Sequence, residues 1–316
     1  MPHMTTGTPS GNLPSNLPGN LSSDPSSDPS GSLPGASARR LARGLVLASH
    51  AAPAAVVTGL AAALAAALGS GWLVVTLVTV AVGTGQLSVG WSNDWIDARR
   101  DTAVGRTDKP VVAGLVTART LRGAAFAALA ACVVASLALG LVPGLAHLVA
   151  VGGAWAYNAR LKSTMWSWAP YAVSFGLLAV FVVLAAPGPR VPAVWAVAAA
   201  ALLGSGAHVA NTLPDLEDDA ATGVRGLPHR LGRRASGVLA PSLLVAAVAV
   251  VVAGPAGAPG PAAWIGGAIA VGLALAAGVM ALARPRSRAP FGLSMCVAVV
   301  CVVLLALAAA ETAVLP

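Results

Sequence analysis

The chain has 316 residues, of which 57% are hydrophobic and only 9% are charged, and its mean hydropathy is +0.79. Because soluble domains carry about 25% charged residues, this composition excludes an ordinary soluble domain and indicates a protein of the lipid bilayer. The net charge of +8 does not indicate a nucleic-acid-binding protein, since the basic residues lie between apolar runs rather than together in a soluble domain.

The first 38 residues differ in composition from the rest of the chain. They are rich in Ser, Pro, Gly and Asn, with imperfect repeats such as SSDPSSDPS. Such a segment buries too little apolar surface to offset the conformational entropy lost on ordering. We therefore predict a disordered tail over residues 1–38 and a transmembrane domain over residues 39–316.

Nine apolar segments follow the tail, and we predict that each spans the membrane as a helix. They cover residues 41–68, 71–92, 118–140, 141–157, 168–186, 191–210, 237–253, 262–283 and 290–312. Nine spans place eighteen of the 19 basic residues on one side, with only Arg190 on the other. By the positive-inside rule, we predict a multi-pass cell-membrane protein with its N-terminus and the basic loops in the cytoplasm and its C-terminus outside.

Acidic residues are scarce and clustered. Eight of the 11 acids lie in two segments, 94–108 and 215–219, which follow the second and the sixth predicted spans. This separation of four helices predicts an all-α fold of two four-helix halves plus one final helix. Each half would deliver one acidic cluster to the cytoplasmic side.

The two clusters share a spacing in which an Asn is followed four and eight positions later by Asp. On a helix these side chains lie along one face, where carboxylates repel each other unless cations lie between them. Oxygen ligands of this kind suit Mg²⁺, which also binds substrate phosphates. The expected metal ligands are Asn93, Asp94, Asp97, Asp101, Asn211, Asp215 and Asp219.

Basic residues follow each cluster and also lie in the loop between the halves. Metal ions together with Arg and Lys neutralise the charge that develops on a departing diphosphate. We therefore expect a diphosphate to bind between the clusters. The expected substrate-binding residues are Arg106, Lys109, Lys162, Arg225 and Arg230, and the expected catalytic residues are Arg106, Lys109, Tyr157, Lys162 and Arg225.

These patterns resemble the signatures of the UbiA superfamily of intramembrane prenyltransferases. NDWIDARRD at residues 93–101 matches the first signature, NDxxDxxxD, and residues 211–219 match the second, a DxxxD preceded by Asn. Tyr157 and Lys162 match a Tyr followed five positions later by Lys, and LPHRLG at residues 227–232 matches the end of the second motif. Lys109 differs from the pattern, because many members have Arg at that place.

The resemblance implies a nine-helix, all-α membrane enzyme that uses Mg²⁺ to ionise a prenyl diphosphate and transfers the prenyl group to a small acceptor, usually an aromatic one. A UbiA-type terpene synthase, which cyclises the prenyl group without an acceptor, fits the same motifs. A secondary transporter with a cation site is an alternative of another class. It would require ionisable residues near the middle of the membrane, whereas these acids lie at span ends.

Two histidines inside predicted spans are further candidates. His50 lies in the first span, and His208 lies three positions before Asn211. A polar residue within a membrane helix indicates a functional site by default. A role in packing fits either histidine equally well.

Overall fold

The computed structural model of this chain describes residues 34–308 and 313–314. Most of the predicted tail therefore lies outside the described residues, and its last five residues, 34–38, belong to the first helix. Over the described residues the chain is 80% helical, which confirms the predicted all-α class.

The described residues form eleven α-helices and two short strands. The helices are α1 (Pro34–Ala48), α2 (Ala51–Ala67), α3 (Trp72–Ala103), α4 (Ala118–Ala138), α5 (Leu141–Ala159), α6 (Ala169–Ala185), α7 (Val194–Thr212), α8 (Leu216–Ala221), α9 (Leu227–Ala253), α10 (Pro261–Ala283) and α11 (Ala289–Leu307). The strands β1 (Val191–Pro192) and β2 (Ala313–Val314) pair antiparallel.

Six helices of the described residues are long and apolar enough to cross a membrane, namely α3, α4, α7 continued by α8, α9, α10 and α11. The pair α1 and α2, bent by 64°, passes as one broken span, and α6 is apolar but shorter. Helix α5 contains the buried His147 and carries Tyr157 and Asn158 in its last turn, and it is not among these candidates. Each predicted span contains a helix, but the predicted count of nine spans is not confirmed.

The long helices form a closed ring. Each packs against the next in chain order from α2 to α7, α7 packs against α9, and α11 closes the ring against α2 and α7. The main core is dominated by Ala, Val and Leu, and small side chains let helices approach closely. The β1–β2 pair lies at the N-terminal end of α7, whereas the second acidic cluster follows its C-terminal end. The acidic clusters and the C-terminal strand therefore lie at opposite ends of a helix about 28 Å long.

Helix α3 continues well beyond the predicted span at residues 71–92 and carries the first acidic cluster on its last turns. No helix-breaking residue occurs there until Gly105, whose φ of 67° suits a residue without a Cβ just past a helix end. The Arg106 amide then donates to the Asp101 carbonyl oxygen at 3.0 Å. This turn directs the chain after α3 back over the cluster.

A sharp bend joins α1 to α2 at His50, whose φ of 51° and ψ of 53° are left-handed. The bend packs against Gly90 of α3, where an added Cβ would lie 2.8 Å from the Ser49 carbonyl oxygen. Only a residue without a side chain permits this approach. It places His50 beside the polar end of α3.

Candidate active site

The first acidic cluster is buried and paired with basic side chains. Asp94, Asp97 and Asp101 are 3%, 6% and 1% exposed. Lys109 Nζ donates to Asp94 Oδ1 at 2.8 Å, and Lys162 Nζ pairs with Asp97 Oδ1. A buried carboxylate is costly unless it is paired, so these two lysines stabilise the cluster in the arrangement observed.

The donor atoms of this cluster fit a divalent cation. Asp101 Oδ1 is buried without a hydrogen-bond partner among the described residues, and Arg100 Nη2 lies 3.7 Å from it. An unused carboxylate oxygen among further carboxylates is the hard donor that Mg²⁺ prefers. No three acidic, His or Cys side chains of the described residues converge closely enough to hold a metal ion as they stand. Cation binding would therefore require the carboxylates and their paired lysines to rearrange.

The second cluster lies where α7 gives way to α8. Pro214 lies in a single 3₁₀ turn, Leu213–Asp215, which separates the two helices. Asp215 Oδ2 lies 3.8 Å from Arg106 Nη2, and Asp219 Oδ2 lies 3.7 Å from His229 Nε2. The exposed Asn211 lies in the last turn of α7 on the same side.

The two clusters face each other across basic side chains. Arg106 Nη2 pairs with Asp108 Oδ2 at 3.1 Å and also reaches Asp215 of the second cluster. Burial lowers the pKa of the Lys162 ammonium, while attraction from Asp97, and more weakly from Asp219, opposes that shift. The Lys162 ammonium therefore interacts electrostatically with one carboxylate of each cluster.

Arg225 and Arg230 lie apart from the acids. Both are exposed, and Arg230 Nε donates to the Arg225 carbonyl oxygen at 3.0 Å. Neither forms an ion pair with a residue that the structure describes. The loop that carries these two arginines contacts the turn at Lys162 through the backbone of Gly226. An added Cβ at Gly226 would lie 2.7 Å from the Lys162 carbonyl oxygen. Substrate binding by these two arginines stays a prediction.

Tyr157 belongs to an aromatic group beside the clusters. Its ring lies edge-on to Tyr171 with centroids 5.0 Å apart, and Tyr171 stacks on His208 at 4.6 Å. His208 Nε2 lies 3.2 Å from Ser167 Oγ, which also accepts from the Leu227 amide at 2.9 Å. His208, one of the candidates from the sequence, thus belongs to this aromatic group beside the clusters.

The other sequence candidate, His50, contacts the first cluster directly. Its Nε2 lies 3.5 Å from Asp94 Oδ1, although its side chain is 48% exposed. The left-handed backbone at the α1–α2 bend brings the ring to this position. The residue spacing around His50 contains no signal for that bend.

Sequence reasoning missed several residues of this region. The side chain of His229 is 4% exposed, and both of its ring nitrogens lack a hydrogen-bond partner within the described part of the chain. Arg288 Nη2 lies 4.0 Å from Asp215 Oδ2, and Asn158 bonds to Asn93. Two of the three could have been noticed, since His229 lies within the LPHRLG stretch and Asn158 follows Tyr157. Arg288 lies in a distant loop with no sequence signal.

Comparison with known proteins identifies relatives of this chain. A family model described as the UbiA prenyltransferase family matches residues 51–295. The bacteriochlorophyll synthase 33 kDa chain of Cereibacter sphaeroides is 34% identical over 199 residues, which are 58% of this chain and 63% of that protein. The chain thus aligns with slightly less than two thirds of this curated relative.

Solved structures share the fold. A UbiA homolog from Archaeoglobus fulgidus bound to DMAPP and Mg²⁺ superposes with a TM-score of 0.63 at 17% identity, over 83% of this chain and 99% of that one. An apo UbiA homolog from Aeropyrum pernix K1 gives 0.62 at 19% identity, over 79% and 96%. A structure concerning digeranylgeranylglyceryl phosphate synthase gives 0.60 at 18% identity, over 87% and 98%.

Proposed function

Because the chain belongs to the UbiA prenyltransferase family, we propose that it is a Mg²⁺-dependent intramembrane prenyltransferase. It binds a prenyl diphosphate between the two acidic clusters and transfers the prenyl group to a small acceptor, typically an aromatic one. The observation that carries this proposal is the pair of facing clusters, spanned by Arg106 between Asp108 and Asp215.

The seven Asn and Asp residues of the two clusters would hold the cations. Bound Mg²⁺ supplies positive charge that stabilises the diphosphate as its carbon–oxygen bond breaks. Lys109 and Lys162, now paired with Asp94 and Asp97, would then donate to diphosphate oxygens, because a cation takes over their carboxylates. Arg106 would donate to the same group, and binding of DMAPP and Mg²⁺ by an A. fulgidus homolog supports this arrangement.

Similarity to a bacteriochlorophyll synthase chain favours transfer to an acceptor over cyclisation, because its name denotes synthesis of a pigment rather than of a hydrocarbon. A UbiA-type terpene synthase remains the alternative, since the aromatic group of Tyr157, Tyr171 and His208 suits an allylic cation in either reaction. A transporter is disfavoured, because the acids lie at one end of the bundle and not at its middle.

We further propose nine spans in the membrane, with α1 and α2 as one broken span and with α5 and α6 as short ones. The clusters and the N-terminus would face the cytoplasm, and the C-terminus would lie outside. Eighteen of the 19 basic residues at one end of the fold support this orientation. The lipid bilayer is then the partner of the outer helix faces, and the acceptor or prenyl tail enters from it.

The experiment is incubation of membranes containing the protein with prenyl diphosphates of several lengths and a panel of acceptors, read by mass spectrometry. Prenylated acceptor that forms only when both substrates are present supports the proposal. A cyclic hydrocarbon formed from the diphosphate alone would establish the terpene synthase instead. Excess EDTA should stop the reaction and added Mg²⁺ should restore it, whereas full turnover in EDTA would exclude metal dependence.

A further inference from the structure

The last turn of α5 is hydrogen-bonded to α3 through Asn158, which is 2% exposed. Its Nδ2 donates to the Val89 carbonyl oxygen at 2.9 Å and to Ser92 Oγ at 2.9 Å. Its Oδ1 accepts from Asn93 Nδ2 at 3.2 Å. A side-chain amide has two N–H donors and one oxygen, so every polar atom of this buried group has a partner.

Two of these partners determine the orientation of the Asn158 amide. The Val89 carbonyl can only accept. The Ser92 hydroxyl donates to that same carbonyl at 2.9 Å, so its oxygen is left to accept. A reversed amide would place the Asn158 oxygen against the Val89 carbonyl oxygen and would require the Ser92 hydroxyl to give up its own bond to that carbonyl. Buried polar groups would then be left unsatisfied, which is costly.

The orientation of Asn158 in turn determines that of Asn93. Because the Asn158 oxygen can only accept, Asn93 must present its nitrogen. The oxygen of Asn93 is therefore the atom left for a ligand, and the hydrogen bonds of the described residues include none to it. Asn93 precedes Asp94 of the first cluster, and an amide oxygen is a ligand that a divalent cation accepts.

We propose that Asn158 is a positioning residue that holds the Asn93 amide so that its oxygen, and not its nitrogen, binds the divalent cation. This inference rests on the proposed function, because that function supplies the cation. Residues that are hydrogen-bonded to a metal ligand, and so orient it, commonly change metal affinity or activity by about 10–100-fold. Asn158 thereby couples the end of α5, which also carries Tyr157, to the metal-binding face of α3.

A neighbouring contact separates this role from simple helix packing. One turn earlier, Trp155 Nε1 donates to Ser88 Oγ at 3.2 Å and joins the same two helices. It does not involve Asn93. Trp155→Phe therefore removes a hydrogen bond from the same interface between α3 and α5 but keeps an aromatic ring. It serves as the matched control.

The test measures Mn²⁺ binding to purified full-length protein by electron paramagnetic resonance of the free ion, with no prenyl substrate present. The variants are Asn158→Ala, Asn93→Ala, the double variant and Trp155→Phe. We expect Asn158→Ala to weaken Mn²⁺ binding about 10–100-fold and Trp155→Phe to leave it unchanged. The double variant should bind no more than about twofold more weakly than Asn93→Ala, because residues acting through one another are not additive.

Wild-type Mn²⁺ affinity in Asn158→Ala, or additive losses in the double variant, would overturn the inference. If Asn158→Ala cannot be recovered folded, Asn158→Leu has a similar shape, lacks the same donors and acceptor, and should show the same loss; unchanged binding by it overturns the inference equally. A wild type that binds Mn²⁺ but prenylates no acceptor refutes the proposed function and not the positioning role. If the wild type transfers prenyl groups and the Asn158 variants need the same Mg²⁺ concentration for half-maximal rate, the positioning role alone is refuted.

Discussion

The Arg106 guanidinium lies 3.8 Å from the Asp215 carboxylate, so a residue that follows the first acidic cluster contacts the second. The two residues are more than 100 positions apart in the chain. Arg106 also pairs with its near neighbour Asp108, and it therefore spans the space in which a diphosphate is proposed to bind. Its role can be tested directly.

Arg106→Gln should lower kcat about 10²–10³-fold, because a donor to a developing charge is lost. KM for the prenyl diphosphate should rise as well, since part of the contact exists in bound substrate. Steady-state kinetics at saturating acceptor measure both constants. Arg122→Gln is the control, because Arg122 is exposed and forms no ion pair with a described residue; an equal loss in both variants would contradict the assigned role.

Lys109→Arg should retain most activity, whereas Lys109→Ala should lose it. Lys109 Nζ contacts Asp94 Oδ1 at 2.8 Å, and an arginine at that place supplies the same charge with more donors. The measurement is the transfer rate at several Mg²⁺ concentrations. If extra Mg²⁺ restored Lys109→Ala to the wild-type rate, the residue would support metal binding rather than diphosphate binding.

Asp97→Asn should nearly abolish product formation, because it removes one proposed metal ligand and frees Lys162 from its partner. The loss should exceed the roughly 10–100-fold that follows removal of a residue behind a ligand. Product formation by purified protein at saturating Mg²⁺ is the measurement. Asp218→Asn is the control, since Asp218 is exposed in the same acidic segment as Asp219 but forms no ion pair within the described residues; activity retained by Asp97→Asn would remove Asp97 from the metal site.

Cysteine labelling should report the first acidic segment and the α10–α11 loop, which is connected to the second acidic segment through Arg233, on the cytoplasmic side. In a background with Cys132, Cys296 and Cys301 replaced, Thr107→Cys and Arg286→Cys should react with impermeant reagent only in inside-out vesicles. Ala258→Cys, in the loop between α9 and α10 at the other end of the bundle, should react only in right-side-out vesicles. Labelling of Thr107→Cys and Arg286→Cys from opposite sides would contradict the proposed topology.

Gly90→Ala should lower the melting temperature of the detergent-solubilised protein. The new Cβ would lie 2.8 Å from the Ser49 carbonyl oxygen, and overpacking of this kind costs about 1–3 kcal/mol, more than the roughly 1 kcal/mol gained from helix propensity. Gly123→Ala in α4 has nothing within 4 Å and should be neutral or slightly stabilising. Equal melting temperatures for the two variants would show that the bend at His50 does not depend on Gly90.

The sequence alone was sufficient for the helical class and for the two acidic clusters. Hydropathy and the i, i+4, i+8 spacing of Asn93, Asp97 and Asp101 are local properties, and an unbroken run of residues up to Gly105 lets α3 continue through all three. Each predicted span contains a helix for the same reason. Their number was not confirmed, because α6 has only 17 residues, α5 is not among the candidate spans, and α1 and α2 form one span only as a bent pair.

Only the tertiary structure decided which groups meet. Lys162 contacts Asp97, and Asn158 contacts Asn93, each across 65 positions of the chain. His50 approaches Asp94 because of a left-handed bend that the residue spacing does not predict. A sequence pattern reports which face of a helix a side chain occupies, but the partner on that face depends on how the helices are packed in the ring. The contacts that orient the proposed metal ligands are therefore determined by packing between α3 and α5 and by the loops at the acidic end of the bundle.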